Sequence, residues 1–155
     1  MDEEKIYAEL ETQKRIRAKN RELFLCAVEW LNILEHNENL VSYFQDHMCK
    51  TIGIYGAGDL GRALAKEFLR SNQIKVSFFL DRKHEGSLVY GIPVLQPKDY
   101  CSSQDVDMVI VTAISSFQEI NKSLLLAKPQ IPVVSLREVV ETRKLEIWEN
   151  EHGEY

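Results

Sequence analysis

The chain has 155 residues, 45% of them hydrophobic and 28% charged, with a formal charge of −5 at neutral pH. This is one domain's worth of ordinary globular sequence, enough to bury one moderate core. The acidic balance argues against nucleic-acid binding, and no apolar run reaches the roughly 18 residues of a membrane span.

Residues 3 to about 35 lack Pro and Gly and are rich in Glu, Lys, Arg, Ala and Leu, which predicts a long helix. Leu23, Ala27, Trp30, Leu31 and Leu34 recur at three- and four-residue steps, so the second half is expected to bury that stripe. The first half offers only Ile6, Tyr7, Leu10 and Ile16, so it should fray or meet a partner. A homodimer through this helix is the expected assembly, because two-fold pairs are the commonest soluble oligomer. "HNEN" (36–39) interrupts the pattern, and Leu40 to Met48 predicts a second short helix. Residues 1–49 thus read as a helical arm.

From Thr51 the texture changes to strands alternating with helices, the signature of a parallel α/β sheet. "TIGIY" (51–55) predicts a strand and Asp59–Arg70 a helix with Leu60, Leu64, Phe68 and Leu69 inward. "IKVSFFLD" (74–81) is the second strand, and "VDMVIVTA" (106–113) is apolar enough to lie buried at the sheet centre. A helix over Phe117–Ala127, a strand over 131–136 and a helix over 137–148, with Val139, Val140 and Ile147 inward, complete the domain at residues 50–148. Residues 149–155 read as a polar tail. The roughly nine residues between Asp81 and "GIPVL" (91–95) are too few for a helical crossover, so a loop and a short edge strand at Ile92–Leu95 are expected. The fold class is α/β, a Rossmann-like parallel sheet with flanking helices behind an N-terminal helical arm.

Cys26, Cys49 and Cys101 are odd in number and lack Cys-x-x-Cys spacing, so neither a disulfide framework nor a zinc site is expected. His36, His47, His84 and His152 are scattered without metal-ligand spacing and read as surface residues. The acidic start "MDEEKIY" has no apolar segment of a leader peptide, which sets the expectation of a cytoplasmic protein.

Gly56, Gly58 and Gly61 form Gly-x-Gly-x-x-Gly between a strand and a helix. In such a loop the first glycine permits the turn, the second lets a pyrophosphate approach, and the third lets helix and strand pack closely. The backbone around Ala57, Asp59 and Leu60 then faces the anion at the helix N-terminus. Asp81 ends the second strand twenty residues past Gly61, where a carboxylate meets a ribose diol. Arg82, beside it, is suited to a 2′-phosphate, so NAD is favoured over NADP only modestly. Thr112 and Ser115, in the loop after the central strand, offer hydroxyls to a ligand. Ser115 or Ser116, with Glu119 completing a capping box, is alternatively the cap of the following helix.

Together "IGIYGAGDLGRALAKEF", "IKVSFFLDRK", "YGIPVLQPKDY", "VDMVIVTA" and "PVVSL" resemble the small Rossmann modules of bacterial surface-polysaccharide enzymes. These include nucleoside-diphosphate-sugar epimerases or dehydratases and the N-terminal domains of sugar acetyltransferases. The resemblance implies a nucleotide ligand, NAD or NADP, a nucleotide sugar or coenzyme A, at Gly56, Gly58, Gly61 and Asp81. Two features depart from full-length epimerases: no sugar-binding domain follows residue 136, and no Tyr-x-x-x-Lys follows the central strand. A nucleotide-binding module is therefore the first reading. A small nucleotide-sugar oxidoreductase and a ligand-free scaffold are the alternatives.

Overall fold

In the computed structural model, which describes residues 2–83 and 86–153, the elements run in the following order. They are α1 (Glu3–Glu35), α2 (Val41–Asp46), β1 (Thr51–Tyr55), α3 (Asp59–Ser71), β2 (Lys75–Leu80), β3 (Leu88–Val89), β4 (Ile92–Leu95), β5 (Met108–Val111), α4 (Phe117–Ala127), β6 (Val133–Ser135) and α5 (Leu136–His152). His84 and residues 154 and 155 of the expected tail lie outside the described residues. The helix α5 carries the chain on through His152, so residues 149–152 of the expected polar tail are helical.

The strands form one sheet in the order β3-β4-β2-β1-β5-β6. All neighbours pair in parallel except β3 with β4. The fold is therefore α/β and Rossmann-like. From β1 the chain moves to β2 on one side and later to β5 on the other, so the strand order reverses beside β1. Every residue of β5 is buried, as its unbroken apolar run requires, although the middle of the sheet is β2 and β1.

Among the described residues, the short link after β2 holds no helix. From Gly86 the chain leads into β3 at the sheet edge and turns back into β4 through Tyr90 and Gly91. Both turn residues have positive φ, 53° and 79°, the requirement of a two-residue type I′ hairpin. The expected edge strand at Ile92–Leu95 is thus an inner strand, with β3 as the edge. Pro93 is nonetheless tolerated, because Val94 makes the N–H bond to Ser87 on the β3 side, while the missing N–H of Pro93 falls on the β2 side ahead of the first paired residue there, Val94.

One sheet face, through Ile52, Ile54, Val76 and Ile110, joins the larger core with Leu64 and Phe68 of α3, Val139 and Val140 of α5, and Phe44 of α2. The other face packs Phe78, Leu80, Val109 and Val111 against Leu124 of α4 and Tyr100 of a 3-10 turn at Pro97–Ser102. In α3, Leu64 and Phe68 are buried as expected, but Leu69 is exposed and Leu60 only partly covered.

The second half of α1 belongs to the larger core. Its buried residues are Cys26, Trp30 and Ile33, with Leu23 packed beside them, whereas Leu31 and Leu34 are exposed. Leu23 and Trp30 face inward as expected, but Cys26 and Ile33 rather than Leu31 and Leu34 complete the row, a rotation of less than one residue. The reason lies in the partners. Glu67 of α3, 7% exposed, accepts the indole N–H of Trp30 at 2.9 Å and the backbone N–H of Leu40 at 2.8 Å, which fixes the rotation of α1.

On its other flank α1 runs parallel to α5. Glu22 pairs with Arg137 at 2.8 Å, Glu29 with Lys144 at 3.0 Å and His36 with Glu151 at 3.0 Å. Each pair lies seven residues further along both helices, the heptad spacing of a parallel helix pair. Arg143, buried on α5, adds bonds to the Asn39 carbonyl at 2.8 Å and to Glu38 at 2.7 Å. Since α5 starts where β6 ends, Glu22 lies level with the carboxyl edge of the sheet. The preceding residues, all exposed, project past that edge. No described helix is long and apolar enough to cross a membrane.

Candidate functional site

The site forms where strand order reverses, at the carboxyl ends of β1, β2 and β5, the place where open α/β sheets bind ligands. Directly after β1, Gly56 donates its N–H to the Leu80 carbonyl at 2.8 Å and adopts φ 112°, which L side chains rarely enter. A Cβ there would also collide with the Thr112 hydroxyl, and one at Gly61 with the carbonyl of Gly56. These two glycines are therefore required by the protein's own packing.

Gly58 differs. Its φ of −79° suits any residue, and an added Cβ would meet nothing within 4 Å. Nothing in the described chain demands a glycine here, yet the residue is exposed at the mouth of the loop. It is also the N-cap of α3, and no side chain caps that end. Arg62 N–H is the donor that Gly58's carbonyl accepts, at 3.0 Å, so the N–H groups of the first turn, at Asp59, Leu60 and Gly61, precede the helix's own bonding. Open space, uncapped N–H groups and the positive end of the helix dipole converge on one point.

Asp81 lies beside this point. Its Oδ2 accepts the Ala57 N–H at 2.9 Å, and its Oδ1 accepts the Lys83 N–H at 2.8 Å. The carboxylate thereby ties the end of β2 to the glycine loop. Each oxygen retains a lone pair, so a ribose diol can still be accepted. Arg82 and Lys83 are exposed next to it, and Asp59 is exposed on the first turn of α3.

Arg62 was not singled out by the sequence reading. Its Nε donates to the Ala57 carbonyl at 2.9 Å, which anchors the guanidinium against the loop. A planar fork held this way presents its terminal N–H groups as phosphate donors. The available signal was an arginine immediately after the third glycine, one turn into the helix.

Thr112 takes a structural place in the loop. It is buried, its hydroxyl donates to the Tyr55 carbonyl at 2.9 Å, and its side chain abuts Gly56. It buttresses the loop, with its hydroxyl proton committed to the backbone. The capping box is also absent: Ser116 makes no side-chain cap bond to α4, because a 3-10 turn at Ile114–Ser116 leads into the helix. Ser115 and Ser116 are exposed instead and line a cleft of about 550 Å³ with Glu22, Glu119, Arg137 and Glu138. The structure thus gathers Gly56 to Gly61, Arg62, Asp81 and Thr112 at one point, with Ser115 in the neighbouring cleft at the ends of β5 and β6.

The residues fit the pyrophosphate of a nucleotide. A Cβ-free cradle faces open space, backbone N–H groups and a guanidinium surround it, and a carboxylate stands at the end of the second strand.

No protein-family model and no curated protein sequence matches the chain. Among solved structures it is similar to RSP, a Rex-family repressor, at 15% identity, covering 65% of this chain and 60% of that one, with a TM-score of 0.46. RSP in complex with beta-NAD+ and operator DNA gives 17% identity over 65% of this chain and 58% of that one, with a TM-score of 0.46. UDP-D-quinovosamine 4-dehydrogenase from Vibrio fischeri gives 28% identity over 61% of this chain and 85% of that one, with a TM-score of 0.46. The chain spans 60% of the length of the first of these.

Proposed function

We propose that the protein is a nucleotide-binding module that seats the pyrophosphate of NAD or NADP on the loop Gly56–Gly61. The carrying observation is Gly58, a glycine that the fold does not require, placed where its missing side chain leaves room for an anion. The first turn of α3 and the Arg62 guanidinium hold the phosphates, and Asp81 accepts the ribose diol while keeping its bond to Ala57. The bound cofactor would supply hydride chemistry. The chain itself supplies binding, orientation and a polar cleft. Its resemblance to nucleotide-sugar enzymes supports a role in bacterial surface-polysaccharide or glycan biosynthesis. The cleft beside Ser115, lined by hydroxyls, carboxylates and Arg137, suits a polyhydroxylated group. The module acts as a homodimer joined through α1.

Isothermal titration with NAD, NADP, a UDP-sugar and coenzyme A tests the reading. Binding of at least one below millimolar, lost in Gly58→Val while the melting temperature holds, supports it. No binding by any of the four, or equal binding by the variant, overturns it.

A further inference from the structure

Among the described residues, nothing covers the first half of α1. It belongs to one unbroken helix of 33 residues, but residues 2 to 21 are all exposed while the second half is locked to α3 and α5. Residues 3 to 20 extend about 27 Å beyond the docked part at 1.5 Å per residue. Helices of this length are marginal in water without tertiary support. Ile6, Leu10 and Ile16 are 40%, 50% and 47% exposed and, with Gln13 between them, follow one face at three- and four-residue steps.

The charges on this arm are segregated. Residues 2 to 11 hold Asp2, Glu3, Glu4, Glu9 and Glu11 against a single Lys5. Residues 12 to 21 hold Lys14, Arg15, Arg17, Lys19 and Arg21 and no acidic residue. Within the arm, Glu11 meets Lys14 at 3.2 Å where the two halves join. Acid near a helix N-terminus suits the dipole, but that does not account for five basic residues within eight positions in mid-helix.

We infer that the arm pairs antiparallel with the arm of a second copy of this chain, about a two-fold axis beside Gln13. This orientation sets each acidic half against a basic half, twice over, as a self-complementary two-fold contact requires. A parallel pair would set acid on acid and base on base. With the axis at Gln13, Leu10 falls opposite Ile16 of the second copy and Ile6 opposite its Asn20. The two Gln13 amides meet in mid-seam, where a polar residue fixes register. Position 24 then meets the first turn of the second copy, which gives Phe24, 67% exposed at the foot of the arm, a surface to cover. The two carboxyl sheet edges face each other along the paired arms. The inference rests on the homodimer reading and is independent of the nucleotide.

Sedimentation velocity and disulfide cross-linking of the full chain test it. Arg15→Glu/Arg17→Glu/Lys19→Glu makes both halves of the arm net acidic, and Glu4→Lys/Glu9→Lys/Glu11→Lys makes both halves net basic. Each is expected to raise the dimer dissociation constant at least tenfold, and an equimolar mixture to restore association. For orientation, single cysteines are placed in a Cys101→Ser background, since Cys26 and Cys49 are buried. Gln13→Cys should cross-link to itself, Ile6→Cys should not, and Ile6→Cys mixed with Asn20→Cys should. Self-cross-linking of Ile6→Cys in a dimeric protein overturns the antiparallel arrangement alone. Dimers that survive both charge reversals place the contact elsewhere, and a wild-type chain that stays monomeric at high concentration removes the homodimer itself.

Discussion

The Oδ2 atom of Asp81 stands 2.9 Å from the backbone nitrogen of Ala57, so the end of the second strand holds the glycine loop in place. A hydrogen bond to a charged group contributes roughly 1.5–3 kcal/mol, and partial exposure here sets the lower end. Asp81→Ala is expected to lower the thermal midpoint and also weaken nucleotide binding at least tenfold, whereas a ribose contact alone would leave the midpoint unchanged. Thermal denaturation without ligand, beside titration with NAD, separates these two roles. An unaltered midpoint sinks the latch, and an unaltered affinity sinks the ribose contact.

The three glycines should respond differently to the same added methyl group. Gly58→Ala puts Cβ into open space, and the expected change in stability is below about 1 kcal/mol in either direction, from reduced unfolded-state freedom and a poorer N-cap. Gly61→Ala drives Cβ into the Gly56 carbonyl, an overpacking that should cost about 1–3 kcal/mol or more. Urea denaturation of the two variants decides this. Equal loss of stability would mean that Gly58 is structural after all.

Two carboxylates give stability opposite pH dependences. Burial pushes Glu67 above its ordinary value of 4.5, against the pull of its bonds to Leu40 and Trp30. The folded state therefore holds that proton more tightly than the unfolded chain, and this contribution falls as pH rises above 4.5 through the raised value. Asp107 is held below its ordinary 3.8 by the N–H groups of Lys50 and Thr51, so its stabilisation is present above 3.8 and lost as pH falls through the lowered value. Melting temperature against pH should lose part of its decline above 4.5 in Glu67→Gln and part of its acid limb in Asp107→Asn. Glu67→Gln should also cost about 1–3 kcal/mol near neutral pH, because its amide turns a donor toward a buried N–H. A Glu67→Gln curve parallel to the wild type would refute the buried ionisation.

The thiols should separate by burial. Cys26 is pushed up to about 11, chiefly by burial with Glu29 adding to it, and burial raises Cys49 as well. Thiolate is the reactive form, so both should resist alkylation near neutral pH while exposed Cys101 reacts. Mass spectrometry after iodoacetamide should show one adduct on the native chain and three in denaturant. Labelling of Cys26 in the native chain would mean that α1 leaves α3 and α5 readily.

Much of the fold was legible in the chain because its signals are local. The continuous apolar run of β5, the alternation of strands with amphipathic helices and the Pro- and Gly-free stretch of α1 each reflect a period that needs no knowledge of the partner. So does a strand–glycine–helix junction, since Gly56 needs its positive φ and Gly61 its bare Cα within a few residues of each other. Asp81 was placed by counting to the end of the next strand.

What the sequence could not rank was decided by partners distant along the chain. Leu23, Cys26, Trp30 and Ile33 keep the same helical spacing as Phe24, Ala27, Leu31 and Leu34, and both rows are apolar. Leu23 and Trp30 were expected inward, but only the tertiary structure put Cys26 and Ile33 beside them, where Glu67, thirty-seven residues beyond Trp30, bonds that indole. The hydroxyl of Thr112 was equally available to a ligand or to a backbone until β1 and β5 paired and put the Tyr55 carbonyl 2.9 Å from it. Periodicity states which residues share a face. Which face is buried is settled by the surface that arrives to cover it, and for the first nineteen residues of α1 no such surface lies within the described chain.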